Sequence, residues 1–486
     1  MKLTELLKGL VEIEIDEEVD GLALDSRKVQ SGDAFIALHG ASQHGIAHAR
    51  QAIAKGAKAV IYDPSGLHDE HDLAFPGVVS VPVAELGKHL GLIAAGFYGN
   101  PSRRLAVIGI TGTNGKTTCS QLIAQALPDC GVIGTLGWGE PENLLPTANT
   151  TPDALAVQGM LRQFVQQRKQ AVAMEVSSHG LQQGRVNAVE FSGAVFTNLS
   201  RDHLDYHGSM DEYLQAKLGL FANPALRFAA INLDDPSSSA VLHKLAAGVR
   251  RWTFSAKGQT VAGAESVIAE NIRHSAEGIH FDAVWRDRKI NAFTPIVGAF
   301  NLENVLAVLA VLLAMDMPFE TAVARLAKLK AIVGRMERFG GQDKPTVFVD
   351  YAHTPDALEK VLKAAKDEGR LWVVFGCGGN RDKGKRPEMG RIAETWADRV
   401  IVTDDNPRNE PPTEIIKDIL AGCQTQNVTV INDRATAIST VIRQAAKQDC
   451  VMIAGKGHES YQEIDGIKMP FSDQDVVKQT LAAWGE

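Results

Sequence analysis

Residues 105–118 read LAVIGITGTNGKTT: an apolar run, a glycine turn, and then residues suited to opening a helix. The order strand, turn, helix is what a phosphate-binding loop requires. Gly112 and Gly115 let the backbone turn tightly, so that successive N–H groups converge on phosphate oxygens. A helix starting near Lys116 adds its positive end. Lys116 reaches the outer phosphates, and the Thr117 hydroxyl is a ligand for Mg²⁺. The match to G-x-x-x-x-G-K-[ST] is imperfect, because Ile110 stands where the first glycine belongs and Gly109 is one place early. An ordinary glycine-rich turn is the alternative. Directly after an apolar strand, the pattern favours a nucleoside triphosphate.

Bulk properties narrow the class. At 486 residues the chain exceeds a single core, so two to four domains are expected. Hydrophobic content of 45% and charged content of 22% match soluble globular protein, and a net charge of −8 argues against a nucleic-acid partner. The first residues, MKLTELLKGLVEIEID, carry acids early and lack the apolar core of a secretory signal. The longest apolar stretch, residues 305–315, is too short to span a bilayer, so no membrane insertion is expected. Five cysteines without C-x-x-C spacing fit a reducing cytoplasm and argue against a zinc site or a disulfide frame.

Working outward from the loop, the first ~85 residues alternate short strands, at 33–38 and 59–62, with a helix at 47–55 ended by Gly56. A linker is expected near residues 85–91, with residues 86–98 helical. From 105 to about 330 the pattern is strand, turn and helix, repeated. Residues 171–175 and 193–198 read as buried strands with polar C-terminal ends, where open α/β sheets bind ligands. Residues 301–314 form a long apolar helix. From about 338, strands at 346–350, 371–375, 399–403 and 450–454 alternate with helical segments, again an α/β pattern with a mostly parallel sheet.

Several polar clusters fall at strand ends. Glu175, in MEVSSHG, is placed to hold a metal ion, or else belongs to a capping turn. TNLSRDHLDYH (197–207) sets two His and two Asp after a strand; this reads as a Mn²⁺ or Mg²⁺ site, or equally as a polar loop. Ser209 and Glu212 form a capping box, so a helix starts near Met210. Tyr213, Lys217 and Phe221 then share one face. Burial would lower the Lys217 pKa and make its amine nucleophilic; a lysine snorkelling past apolar neighbours is the other reading. Arg335 and His353 flank the entrance to the third unit, suited to phosphate or base. GCGGNRDKGKR (376–386) packs Arg381, Lys383, Lys385 and Arg386 after a glycine turn, a local trap for carboxylate or phosphate. In DDNPR (404–408), Pro407 stiffens the turn and Arg408 offers a fork for a carboxylate. Glu459, in AGKGHE, is a partner for an ammonium.

Together, in this order, these segments resemble the Mur ligase family of ATP-dependent amide-forming enzymes over essentially the whole chain. The carriers are TGTNGKTT, TANTTP (147–152), MEVSSHGL, NLSRDHLDYHG, YLQAKLGLF, GAFNLENVLA (298–307), GRMERF, DYAHTPD and GKGHE. DNPR (405–408) matches the members that add meso-diaminopimelate to the D-Glu γ-carboxylate of a UDP-muramoyl dipeptide. Lysine-adding relatives lack this Arg. A lysine-adding relative and a folylpolyglutamate synthase-type ligase are the alternatives.

The resemblance implies three α/β domains: a UDP-sugar-binding domain at 1–87, a P-loop ATP-binding domain at 88–335 and a Rossmann-like amino-acid-binding domain at 336–486. It implies an acyl-phosphate route. Gly112, Thr113, Asn114, Gly115, Lys116, Thr117, Thr118, Asn301, Arg335, Asp350 and His353 would bind ATP. Lys116, Lys217, Glu175 and His203 would be catalytic. Thr117, Glu175, His203 and a carbamylated Lys217 (N6-carboxylysine) would hold Mg²⁺, two ions being expected. Leu24, Ser26, Ala41, Ser42, Gln43, Asn149, Thr150, Thr151, Ser177, Gln183 and Arg185 would meet the UDP-muramoyl dipeptide. Relatives often carry His-Gln in place of Ala41-Ser42. Arg381, Asp405, Asn406, Pro407, Arg408, Gly455 and Glu459 would bind diaminopimelate. A cytoplasmic monomer with small-molecule substrates is expected.

Overall fold

The computed structural model describes residues 1–13, 15–40, 43–67, 75–275, 277–366, 369–425 and 427–485. Ala41 and Ser42 lie outside the described residues. The chain forms two compact units. One comprises Met1–Gly109, Pro128–Gly193 and Asn223–Leu226; the other comprises Ile110–Leu127, Ala194–Ala222 and Arg227–Glu486.

In the first unit, four parallel strands lie side by side in chain order: Gly21–Ala23, Asp33–Ala37, Ala59–Tyr62 and Val79–Pro82. Alternate residues feed two cores. Ala34, Ile36 and Ile61 pack with Leu86, Leu90 and Ile93 of the helix Leu86–Phe97, whereas Phe35, Ala37 and Val60 pack with Ala49 and Ala52. Burial on both faces explains why the two central strands are apolar without alternation from Ala34 to Ala37 and from Ala59 to Ile61. The segment expected as one helix at 47–55 is a 3₁₀ turn, Gly45–His48, followed by the helix Ala49–Ala54. His44 opens it, accepting the Ile46 N–H through its own ring. The helix Leu86–Phe97 fills the segment where a linker is expected, because its apolar face completes the first core. Further along this unit, Ala171–Glu175 runs parallel to Cys130–Gly134, which turns back through Gly137–Glu140 and Asn143–Leu145.

The second unit holds the phosphate-loop helix Lys116–Ala126 and the helix Asn301–Ala314, in which thirteen of fourteen residues are buried. The strand–turn–helix repeat expected up to residue 330 does not persist. After the parallel strands Phe228–Asn232 and Arg250–Ser255, the chain forms Glu265–Ser275, Gly278–Trp285 and Arg288–Thr294, the last two antiparallel to their neighbours. Their residues alternate buried and exposed, with Val267, Ala269, Phe281 and Ala283 inside. One wet face permits hairpins without covering helices.

The same unit carries a six-stranded sheet in the order Glu337–Gly340, Thr346–Asp350, Cys450–Ala454, Leu371–Phe375, Arg399–Val402, Val428–Val430. All pairs are parallel except the first. Phe348, Val373, Phe375 and Met452 bury against one layer of helices, and Val347, Val374, Val451 and Ile453 against the other. The strand C-termini at Asp350, Phe375, Val402 and Ala454 therefore open on one edge, the ligand edge of a doubly wound sheet.

Candidate active site

Gly112 and Gly115 both take positive φ, at 151° and 84°, so the loop turns as its sequence requires. A side chain at Gly112 would stand 1.9 Å from Thr197 Oγ1. That contact belongs to a lock that sequence reading missed. Thr197 Oγ1 donates to the Asn114 carbonyl at 2.7 Å, Asn198 Oδ1 accepts the Asn114 N–H at 2.9 Å, and the Ser200 N–H donates to Thr113 Oγ1 at 3.0 Å. The segment read as a polar loop or metal site thus begins by holding the phosphate loop in shape. Its threonine and asparagine match short backbone-capping side chains, a weak signal available beforehand.

Lys116 curls over the loop, with Nζ donating to the Gly112 and Thr113 carbonyls at 2.9 and 2.8 Å. Lys217 Nζ donates to the same Gly112 carbonyl at 2.8 Å. Ser209 caps the helix Met210–Leu218 by accepting the Glu212 N–H, as expected from the capping box. This helix buries Tyr213 and Lys217, and the Lys217 ammonium sits 4.2 Å from the Tyr213 ring centroid. Burial, reinforced by neighbouring Lys116, pushes the Lys217 pKa well below its ordinary value; Asp202 opposes this only in part. The same burial favours the uncharged amine, and Lys217 meets the loop carbonyl and the Tyr213 ring rather than solvent.

Asn301 does not reach the loop itself. It donates to the Val297 carbonyl and accepts from Asn304 at 2.8 Å, and Asn304 Oδ1 packs against Gly115. Arg335 does reach it: Nη2 lies 3.1 Å from Thr117 Oγ1, its guanidinium stacks 4.6 Å from the Tyr351 ring, and its buried Nε has no hydrogen-bond partner among the described residues. Asp350 accepts the Met336 N–H at 2.7 Å and is pushed up to about 6 by burial, against the pull of Arg335. Burial, aided by Lys385, brings His353 down to about 4, so its ring is neutral at pH 7.

The Asp350 shift fixes the sign of a pH effect. Its folded pKa lies above its unfolded value, so the favourable neutral form is lost as pH rises toward 6. Asp350→Asn cannot ionise. Its thermal midpoint relative to the parent is expected to climb between about pH 4 and about pH 7. A difference that stays flat across that range would refute this account.

Beyond His353, a cavity of about 180 Å³ opens at the ends of the six-stranded sheet. Arg381, Asp405, Asn406, Arg408, Gly455 and Glu459 all line it, together with His203, His353, Asp202 and Lys385. Asp202 lies 3.3 Å from the His203 ring and 3.9 Å from that of His353. Burial alone would raise its pKa. The two imidazoles and Lys385 outweigh this and bring the carboxyl to about 2. Arg408 sits at φ 53°, donates Nη1 to the Gly379 carbonyl at 2.9 Å and faces Glu463 at 3.4 Å; its Nη2 has no partner among the described residues. A left-handed Arg stores strain of about 1 kcal/mol, consistent with a group held for a task. Pro407 lies behind the wall, its carbonyl 1.9 Å from where a Cβ of Gly379 would stand, and a Cβ at Gly378 would stand 2.8 Å from Arg408 Nη1.

The cationic trap read at 376–386 divides. Arg381 and Lys385 face the cavity, with Lys385 Nζ donating to the His353 carbonyl at 2.8 Å. Arg386 is fully buried and forks onto Glu410 at 2.7 and 2.8 Å, with Asp418 at 2.9 Å. It braces the glycine turn instead of meeting a ligand. Glu410 stands 24 residues later, so adjacency in sequence gave no sign of this pairing.

The remaining sequence-derived residues lie in the first unit. Glu175 is fully buried and accepts the Thr135 N–H at 2.8 Å and the Thr135 hydroxyl at 3.0 Å. Thr150 touches the same hydroxyl at 3.0 Å. Thr151 Oγ1 donates to the Glu175 carbonyl at 3.0 Å and accepts the Ser177 N–H at 2.9 Å, while Ser177 caps the helix Ser178–Gln182. Arg185 donates to the Thr151 carbonyl at 2.9 Å and to Gln183 at 2.6 and 3.0 Å. These residues form one polar cluster. Leu24 and Ser26 follow the strand Gly21–Ala23 elsewhere in the unit, and Ser26 donates to Gln51 at 2.7 Å.

Family comparisons accord with this layout. Residues 18–98 match the model described as Mur ligase family, catalytic domain; 110–312 match the Mur ligase middle domain; 334–457 match the Mur ligase, glutamate ligase domain. A protein of Xylella fastidiosa (strain 9a5c), named UDP-N-acetylmuramoyl-L-alanyl-D-glutamate--2,6-diaminopimelate ligase, is 46% identical, covering 99% of this chain and 98% of its own. One of the same name from Ectopseudomonas mendocina (strain ymp) is 48% identical over 95% of each. A solved structure titled with that enzyme name aligns with 99% of each chain at a TM-score of 0.68 and 36% identity. With three family models in order along its length and relatives of this identity over nearly all of it, the chain belongs to the Mur ligase family.

Proposed function

We propose that this chain is an ATP-dependent ligase that adds meso-diaminopimelate to the D-Glu γ-carboxylate of UDP-N-acetylmuramoyl-L-Ala-D-Glu, in the cytoplasm and as a monomer. The observation that carries the reading is the convergence of Arg381, Asp405, Asn406, Arg408, Gly455 and Glu459 on one cavity. Such a set suits an amino acid with carboxylates and ammonium groups at both ends. Among the described residues, no helix is long and apolar enough to cross a membrane. We further propose three functional domains, 1–87, 88–335 and 336–486, although the helix Leu86–Phe97 runs through the first of these boundaries.

A carboxylate is a poor acceptor for an amine. In the proposed route its oxygen attacks the γ-phosphorus of ATP, the bond to ADP breaks, and an acyl phosphate forms. The amine nitrogen then attacks the acyl carbon, phosphate departs, and the nitrogen loses its proton. Positioning and charge neutralisation dominate such transfers. The loop at 112–118 cradles the phosphates, Lys116 swings from its carbonyls to the outer oxygens, and Arg335 offers its unpartnered Nε. The Lys217 nitrogen, as the free amine, bonds to the carbon of CO₂ and releases a proton, which turns a buried amine into a carbamate anion.

The donor chemistry fits Mg²⁺. In the second unit, Lys217 stands on the Gly112 carbonyl of the phosphate loop, so that a carbamate there and the Thr117 hydroxyl would offer hard oxygens and His203 an imidazole. Bound there, the ion would neutralise the charge of the transferring phosphoryl group.

The test is product formation from the UDP-muramoyl dipeptide and ATP with either diaminopimelate or lysine. Diaminopimelate should be used and lysine rejected by about 10³-fold or more. Equal use of lysine would sink the specificity, and ATP turnover dependent on a folate would revive the folylpolyglutamate reading.

A further inference from the structure

Lys456 is a fully buried lysine in the turn after the strand Cys450–Ala454, and the proposed reaction gives it no part. Its ammonium donates to Glu459 Oε2 at 2.9 Å and to Asn406 Oδ1 at 3.0 Å. Asn406 closes the triangle by donating Nδ2 to the same Glu459 Oε2 at 2.8 Å. The Glu463 N–H donates to Asn406 Oδ1 at 2.9 Å. Two donors on one face of Asn406 settle which end of its amide is oxygen, so Nδ2 must turn toward Glu459. Glu459 is thus gripped by one carboxylate oxygen from two sides. Its Oε1 has no partner among the described residues, and the side chain lines the cavity.

We propose that Lys456 is the positioning residue of the amino-acid pocket: it locks Asn406 and Glu459 so that one carboxylate oxygen is presented to the incoming ammonium. This rests on the ligase reading above. A buried cation so close would, by charge alone, repel an ammonium. Its use is geometric. It neutralises a carboxylate that is expensive to bury and fixes the direction of the oxygen left over.

The two views predict opposite signs. If Lys456 acts by position, Lys456→Met raises the KM for the amino acid by about ten- to a hundredfold. The kcat and the KM for ATP and for the UDP-muramoyl dipeptide should stay within about twofold. Glu459→Gln should raise the same KM, and Lys456→Met added to Glu459→Gln should cost little more, since the lysine works through its partner. A lower amino-acid KM in Lys456→Met would overturn the proposal, as would additive effects or a parallel loss in all three substrates. Should Lys456→Met fail to fold, Asn406→Asp gives the second reading. It keeps the shape but removes the donor to Glu459, and an unchanged amino-acid KM there refutes the clamp. The parent enzyme is assayed first with diaminopimelate and with lysine. Failure to use diaminopimelate defeats the specificity reading alone, because the variants are then compared on whichever amine the parent accepts.

Discussion

Replacement of Lys217 by methionine is expected to lower turnover by about 10²- to 10³-fold, the usual loss when a buried electrostatic group at the reacting centre is removed. Methionine has similar length and suits the buried site beside the Tyr213 ring, so folding should survive. The expectation rests on three facts. Lys217 is buried, shares the Gly112 carbonyl with Lys116, and has its pKa driven down by burial and by that second lysine. Two ammonium groups on one carbonyl oppose each other, which with burial shifts Lys217 toward the free amine. The free amine is the form that combines with CO₂. Intact mass measured without acid exposure should show one CO₂ added to the parent and none to Lys217→Met. Turnover should fall in CO₂-depleted buffer for the parent only. A Lys217→Met enzyme with parental turnover would remove Lys217 from the mechanism.

The second large effect concerns Arg408. Arg408→Lys is expected to cut the preference for diaminopimelate over lysine, measured as the ratio of kcat/KM values, by about 10²-fold or more. The guanidinium has one arm on the Gly379 carbonyl and another beside Glu463, which leaves Nη2 for a ligand carboxylate. Lysine at this position has no fork and cannot anchor and bind at once. The loss should appear mainly in the KM for diaminopimelate. Unchanged selectivity in Arg408→Lys would place the distal carboxylate elsewhere, with Arg381 next to be tested.

Local signals in the sequence were the dependable ones. The phosphate loop, the Ser209 cap and the strands at 171–175, 346–350, 371–375 and 450–454 depend on neighbours within a few residues, and they stand where expected. The antiparallel strands from Glu265 to Thr294 were lost in an assumed α/β repeat, since charges on their wet face broke the apolar runs. In the site, residue types were legible and partnerships were not. Four adjacent cations at 381–386 look alike in sequence; a carboxylate at Glu410 decides that Arg386 is a brace. Glu459 reads as an ammonium partner from its place after a strand, and it lines the cavity. Lys456, three residues before it, gave no sign of its grip, because that contact requires Asn406 from another strand end.

The glycine turn at the cavity beside Arg408 limits how this enzyme can be altered. Where Gly378 and Gly379 stand, a methyl group would collide with Arg408 and with the Pro407 carbonyl. That side of the pocket is made of main chain, and main chain cannot be trimmed or enlarged one residue at a time. A library aimed at a new amine would waste its diversity there. The adjustable surface is the set of side chains around that turn, Arg408, Arg381 and Glu459, where side-chain length sets how far a ligand can extend.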